Sequence, residues 1–323
     1  MALTLFHPSP QVLAAAVVLD LLLGDPVYPL HPIRLMGRSL TWFEARLRAI
    51  KLDGYGGGIV LFVLLAVMWV GVTVAVLFLL RKISSVAAWL FYLFMAYSFL
   101  ALRDLLHHAW AAESAARKDD LEGTRIAIAK LVGRDTDKMD LAACRRAAIE
   151  SLSENLTDGF ISALFWYVIA GLPGLVLFKV VSTMDSMVGY KTPQYLKFGW
   201  CGARLDDAMN YIPARLTWLL LSLFCLVLPK CSGAKAFRIG WQQHAILPGP
   251  NSGWSEAAMA GGLERKLLGP IWAKGVLVTD VWLGDAGDPP AGDATDVFRT
   301  SMVISVTALF AASVAVYLAW LRI

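Results

Sequence analysis

Three stretches of the chain carry no charged side chain over the thickness of a bilayer: residues 59–80, 83–102 and 300–321, which are 22, 20 and 22 residues long. At 1.5 Å rise per residue each reaches about 30 Å as a helix, enough to span the hydrocarbon core. Three transmembrane helices are therefore expected, the first two as a tight hairpin because only Arg81 and Lys82 separate them. Three further apolar segments are weaker. Residues 11–23 are short and contain Asp20, and 216–229 number only 14. Residues 159–178 are interrupted by Gly171-Leu172-Pro173-Gly174. Proline removes a backbone donor and glycine weakens a helix, so this segment is expected either to kink or to enter the bilayer and return.

The polar segments in between are too long to be connectors. Residues 103–158 read as two or three amphipathic helices, and 179–215 and 230–299 as helix mixed with loops rich in Gly, Pro, Trp and Asp. No fixed-period repeat and no alternating strand pattern shows. The predicted class is all-α: a polytopic helical membrane protein with three transmembrane helices, two or three short or re-entrant membrane segments, and large helical cytoplasmic loops. Its parts are an N-terminal motif segment (1–58), a transmembrane hairpin (59–102), a polar motif region (103–215) containing the kinked segment 159–178, a short membrane segment (216–229), a polar loop region (230–299) and a C-terminal transmembrane helix (300–323). If neither weak segment after residue 158 crosses fully, 26 of the 29 Lys and Arg fall on one side; if both cross, the split is 21 to 8. The first is the sharper positive-inside pattern and puts the polar mass in the cytoplasm.

Composition excludes several classes. Of the 323 residues, 58% are hydrophobic and 17% charged, against roughly 25% charged in soluble domains. Mean hydropathy is +0.60. An ordinary soluble enzyme and a disordered chain are thereby excluded. The four cysteines form no CxxC pair, which leaves them as free packing residues rather than bridges or zinc ligands. A net charge of +4 without a run of five basic residues gives no footprint for nucleic acid. The first eleven residues show no basic leader or cleavage site, so no signal peptide is expected to be removed.

Candidate chemistry lies in the polar segments, where GxxxxGK[ST], GxGxxG and HExxH are all missing. Asp20-Leu-Leu-Leu-Gly-Asp25-Pro26 precedes His31-Pro32, and an acidic residue in an apolar helix needs a partner. Either Asp20 and Asp25 pair with Arg34 and Arg38 to fix a helix end, or they and His31 serve a site. Gly133-Arg-Asp-Thr-Asp137 leads to Arg146, Glu150, Glu154 and Asp158, four residues apart and so on one helical stripe, which either faces water or lines a cleft near the membrane. Asp185 stands between methionines and is followed by Tyr190 and Lys191. Arg204, Asp206, Asp207 and Asn210 follow Phe198-Gly-Trp200, and Asp207 and Asn210 at i,i+3 suit either a hard cation or a cap network. Tyr190, Phe198 and Trp200 either stack on a flat ligand or pack at the membrane interface. Asn251-Ser252-Gly253-Trp254 puts a glycine turn before a helix, whose free N–H groups bind phosphate unless Ser252 or Ser255 simply caps them. The run 284–296 lacks calcium-loop spacing and reads as a solvated loop whose Asp293 caps the next helix.

Taken together, Asp20-LLL-Gly24-Asp25-Pro26 with His31-Pro32, Gly133-Arg-Asp-Thr, Glu154-Asn-Leu-Thr-Asp158-Gly, Thr183-Met-Asp185-Ser-Met-Val-Gly-Tyr190, Gly199-Trp-Cys-Gly-Ala-Arg204-Leu-Asp206-Asp207 and Pro250-Asn-Ser-Gly-Trp254 resemble the adenosylcobinamide-phosphate synthase family of cobalamin biosynthesis. The resemblance covers nearly the whole chain in order. It departs in Ser162-Ala-Leu-Phe165, where a proline is expected before Leu-Phe and its lack should alter local kinking rather than chemistry, and in a sparse ending after residue 270. It implies a multi-pass ligase of the bacterial cytoplasmic (inner) membrane with its active site facing the cytoplasm. The implied reaction joins the free propionate of adenosylcobyric acid to the amine of aminopropanol phosphate, or a related amino-alcohol phosphate, using ATP and Mg²⁺. Implied partners are the corrinoid, the amino-alcohol phosphate and the bilayer, with other membrane-bound cobalamin-biosynthesis enzymes or a second copy as further candidates. On this reading Asp185, Asp206 and Asp207 hold metal, joined by Asp158 as a further carboxylate of the catalytic set. Glu154 or His31 is the base, and Lys191, Arg204, Asn251, Ser252, Gly253, Tyr190 and Trp200 hold substrate or phosphate. Two other classes stay open: a membrane-embedded Mg-dependent phosphotransferase, although Asp158-Gly-Phe-Ile-Ser-Ala does not continue into its DGxxAR pattern, and a transporter or signalling protein, which leaves the large polar segments unexplained.

Overall fold

The computed structural model describes residues 7–26 and 28–322. Residues 1–6, on which the expectation of an uncleaved N-terminus partly rests, lie outside the described residues, as do Val27 and Ile323. The chain forms two compact units, one of Met1–Ala101, Ser162–Asn210 and Ala311–Ile323, the other of Leu102–Ile161 and Tyr211–Phe310.

The first unit contains α1 (Pro10–Leu23), α2 (Pro32–Ala49), α3 (Tyr55–Ile83), α4 (Ser85–Tyr97), α8 (Ser162–Val188) and the first turns of α9 (Trp200–Val227). Helix α1 starts where Ser9 accepts a bond from the Val12 amide and Pro10 supplies a preset φ. The predicted hairpin is present, with Ser84 alone between α3 and α4 and its hydroxyl capping Ala87. Helix α3 buries Leu61, Leu65 and Leu77 and leaves Val63, Val67, Phe78 and Leu79 exposed, an all-apolar outer face that suits lipid. The predicted break in 159–178 falls at Ala170 and Gly171, the latter at φ 62°, three residues before the end of the Gly-Leu-Pro-Gly run. The guanidinium of Arg322 donates to the carbonyls of Val168 and Ile169 next to that break, supplying donors that the interrupted helix does not.

The second unit contains α5 (Leu102–Ala116), α6 (Leu121–Ile128), α7 (Leu141–Asn155), a π-helical turn (Leu156–Ile161), the rest of α9, α10 (Gly233–Gln243), α11 (Ser252–Leu263) and most of α12 (Ala294–Leu321). Residues 103–158 thus give three helices, with Asp120 capping α6 and Asp140 capping α7.

Five helical runs are long and apolar enough to cross a membrane: Tyr55–Ile83, Ser85–Ala116, Leu141–Val188, Trp200–Val227 and Ala294–Leu321. Three contain the predicted spans. The 14-residue segment 216–229 is instead the apolar end of the 28-residue α9, whose first half was hidden by Arg204, Asp206, Asp207 and Asn210. The expectation of no strands is also corrected. Strands β1 (Leu267–Leu268) and β4 (Trp282–Leu283) pair antiparallel, as do β2 (Ile271–Ala273) and β3 (Val276–Thr279). Strands of two to four residues are too short to show alternation. The hairpin between β2 and β3 turns at Lys274 and Gly275, both at positive φ (53° and 77°), as a two-residue turn of matching twist requires. At α12 the capping is also the reverse of the expected one: Asp296, fully buried, reaches back to the amides of Gly292 and Asp293 and pairs with Arg265 and Arg299.

Candidate active site

The predicted site residues gather at two places, one in each unit. In the first, Gly199 lets the start of α9 meet the end of α8: a β-carbon there would lie 1.7 Å from the Val188 carbonyl oxygen. That approach brings Asp206 and Asp207, within the first two turns of α9, into electrostatic range of Asp185 in the last turn of α8. Asp206 accepts a bond from Asn210 Nδ2 at 3.0 Å, and the buried hydroxyl of Ser162 contacts Asn210 Oδ1 at 2.5 Å. Asn210 thus bonds Asp206 at i,i+4, and Ser162 supports the site through Asn210. Asp207 lies 3.6 Å from the exposed Arg204 guanidinium and in electrostatic range of Lys191. Sequence reading missed Lys179, 9% exposed on α8 and in electrostatic range of Asp206. Tyr190 and Trp200 are exposed, Trp200 edge-on to Tyr55, whereas Phe198 is fully buried and cannot stack on a ligand.

His31 stands apart from these groups in its contacts. It precedes α2, is 4% exposed, and its Nε2 lies 2.8 Å from Asp25 Oδ1 at an angle that is not that of a hydrogen bond. Tyr28 packs edge-on against its ring at 5.2 Å. Asp25 therefore meets His31 rather than Arg34 or Arg38.

The donor chemistry at Asp185, Asp206 and Asp207 fits Mg²⁺, which takes one or two carboxylates and fills its remaining positions with water and phosphate oxygens. A three-carboxylate cage is not assembled: among the described residues no three acidic, His or Cys side chains converge on one point. Consecutive positions on a helix point about 100° apart, so Asp206 and Asp207 do not face the same spot.

The second place is a cleft of about 320 Å³ in the second unit, and it joins three motifs that lie up to 120 residues apart. Gly133 and Arg134 form one wall, Glu150 and Glu154 of α7 another, and Ser252 and Glu256 of α11 a third. Asp135 builds the first wall by accepting from the Lys274 and Gly275 amides of the β2–β3 turn, while its own N–H donates to the Trp272 carbonyl. Arg134 Nη2 pairs with Glu150 at 2.5 Å, and Glu150 also accepts from the Leu268 amide at 2.8 Å. Arg146 donates to the carbonyls of Leu268 and Ala291. The stripe expected on 146, 150, 154 and 158 is thus turned inward rather than to water. Asp158 leaves its four-residue register because residues 156–161 are π-helical.

The turn before α11 is held by Trp254, whose indole donates to the Pro250 carbonyl and stacks on the His244 ring at 3.8 Å. Asn251 makes no side-chain cap. Gly253 is glycine because a β-carbon there would lie 2.0 Å from the His244 carbonyl oxygen, a packing demand that holds with or without a phosphate nearby.

Glu150, Arg134 and Glu256 were absent from the predicted site set. Glu256 is 5% exposed, and burial first, then the neighbouring carboxylates of Glu154 and Glu150, hold its carboxyl well above the ordinary carboxylate range. The folded protein therefore keeps a proton that the unfolded chain releases above about 4.5, so this group makes stability fall as pH rises from there. Glu256→Gln should abolish that slope: measured by thermal unfolding in detergent, its Tm should gain on wild type between pH 5 and pH 8. Parallel curves would mean that Glu256 is ionised. Ser162→Ala removes a buried hydrogen bond and should cost about 1–2 kcal/mol, read as a lower Tm, with a smaller loss of turnover than changes at the aspartates.

Comparison with known proteins places this chain in a class, the cobalamin biosynthesis proteins. The family model described as CobD/Cbib protein matches residues 13–304. The chain belongs to the CobD/CbiB family. It is 40% identical to the cobalamin biosynthesis protein CbiB of Salmonella typhimurium over 299 residues, 91% of this chain and 93% of that one. It is 40% identical to the cobalamin biosynthesis protein CobD of Sinorhizobium sp over 290 residues, 85% and 88% of the two chains. With CobD of Klebsiella pneumoniae the identity is 38% over 91% and 93%. No solved structure matches. Because the match runs to residue 304, the segment after 270 belongs to the family pattern, and Ile271 in it lines the cleft.

Proposed function

We propose that the chain is an acid–amine ligase of the bacterial cytoplasmic membrane that joins the free propionate of adenosylcobyric acid to the amine of aminopropanol phosphate, or a related amino-alcohol phosphate, using ATP. Family membership supports this reading, and one observation carries it: the motifs at 133–134, 150–154 and 252–256 close on a single cleft lined by one arginine and three carboxyls. A carboxylate does not react with an amine until its oxygen becomes a leaving group, so ATP serves to phosphorylate it. Mg²⁺, when bound, supplies charge neutralisation at the phosphate oxygens. Asp185 with Asp207 would hold it, and Lys191, Lys179 and Arg204 would balance phosphate charge. Glu154 would take the proton of the attacking ammonium. His31, locked against Asp25 and Tyr28, would shape the N-terminal turn instead of moving a proton.

The polar segments 1–54 and 117–140 and the cleft would face the cytoplasm, where the nucleotide is. Cys144 and Cys201 are 0% and 7% exposed, so labelling them reads burial rather than side; cysteines introduced at exposed positions such as Lys118 and Lys191 report topology. The activity is tested by giving the purified protein adenosylcobyric acid, aminopropanol phosphate and Mg-ATP and looking for the amide by mass spectrometry. Absence of the amide under conditions where the protein stays folded would overturn the reading.

A further inference from the structure

The ligase chemistry gives the buried carboxyl of Glu256 no role. Glu256 lines the 320 Å³ cleft at 5% exposure, its carboxyl in electrostatic range of Glu154, Glu150, Asp158 and the Arg134 guanidinium. Arg134 lines the same cleft, its Nη2 engaged by Glu150 and its Nε buried without a partner. Ser252, the first residue of the 12-residue α11, is also on the wall, so the uncapped N–H groups of that helix start there.

Charge and size restrict what fits. The cleft's charged lining is one guanidinium against the carboxyls of Glu150, Glu154 and Glu256. A triphosphate is repelled by such a lining, whereas a ligand with one cation and one phosphate complements it. Its volume is at the lower end of the roughly 300–1,000 Å³ of small-molecule sites, suited to a phosphate on a three-carbon chain and far too small for a corrinoid.

We infer that this cleft is the seat of the amino-alcohol phosphate, with its ammonium between Glu154 and Glu256 and its phosphate against Arg134 and the start of α11. The assignment rests on the ligase reading and adds to it which substrate the turn before Trp254 serves and which residue, Glu256, selects the amine. An ammonium placed there would offset the crowding of the Glu150, Glu154 and Glu256 carboxyls.

The test uses the full-length protein in detergent and titration calorimetry with two probes, aminopropanol phosphate and isopropyl phosphate, which lacks the amine. Glu256→Gln should weaken aminopropanol phosphate by at least about tenfold, the loss of a charge-assisted hydrogen bond, and leave isopropyl phosphate unchanged. Ser252→Phe, which fills the cleft, should abolish both and decides the matter if Glu256→Gln does not fold. Unchanged affinity for aminopropanol phosphate in Glu256→Gln, or in a folded Ser252→Phe, overturns the assignment. Amide formation keeps the two claims apart. If wild type forms the amide and Glu256→Gln leaves KM for aminopropanol phosphate unmoved, the cleft assignment fails and the ligase reading stands. If binding depends on Glu256 but wild type forms no amide, the ligase reading fails instead.

Discussion

Asp185→Asn and Asp207→Asn are each expected to lower turnover by about three orders of magnitude while leaving the protein in the membrane fraction at wild-type levels. Removing a carboxylate that holds Mg²⁺ against phosphate oxygens forfeits several kcal/mol of transition-state stabilisation, and each 1.36 kcal/mol is a factor of ten. The two positions differ in their surroundings. Asp185 sits in the last turn of α8 beside the Gly199 contact, while Asp207 is half-exposed and already meets Arg204 at 3.6 Å. Loss of a metal ligand should therefore raise the Mg²⁺ concentration needed for half-maximal rate in both variants. A purely structural role would lower Tm without moving that midpoint. Turnover within about threefold of wild type in both would remove them from the site.

Gly253→Val is expected to have the larger effect on stability. The turn predicts from sequence a phosphate-approach glycine, whose loss would raise a KM and little else. The structure changes that expectation, because the added β-carbon meets the backbone of His244 at 2.0 Å, and a backbone carbonyl has no rotamer to escape into. Overpacking typically costs about 1–3 kcal/mol and occasionally more, and against a backbone carbonyl the upper end is expected, with α11 pushed from the end of α10. The measurable result is a large fall in Tm and in folded yield, with activity lost in proportion. A stable variant with only a raised KM would restore the phosphate reading of this glycine.

How much was legible beforehand can be judged residue by residue. The hairpin of α3 and α4 and the C-terminal helix were readable because a bilayer imposes about 20 uncharged residues on any simple span, a rule local to the sequence. Helix α9 was not readable as one element, since its first half carries Arg204, Asp206, Asp207 and Asn210 and only its second half is uniformly apolar. The strands in 267–283 escaped because pairs this short are set by backbone partners and a positive-φ turn rather than by side-chain alternation. Asp293 and Asp296 show the same limit on a smaller scale: composition fixed that an aspartate caps α12, and the direction of the bond depended on which side chain was buried against Arg265 and Arg299.

By itself the sequence determined the family and the presence of long apolar helices, because each is expressed in the order and spacing of residues along the chain. Only the tertiary structure decided that Arg134, Glu150, Glu154 and Glu256 share one cleft, that Ser162 reaches Asp206 through Asn210, and that Gly253 serves His244. The physical reason is the same in each case. A residue's charge and hydrogen bonding are set by neighbours in space, and the charged neighbours of Glu256 come from segments about 100 positions or more away in the chain. Periodicity carries information over a few helical turns, whereas burial and the pairing of polar groups are properties of packed elements, and they exist only once α7, α11 and the 133–135 turn have met.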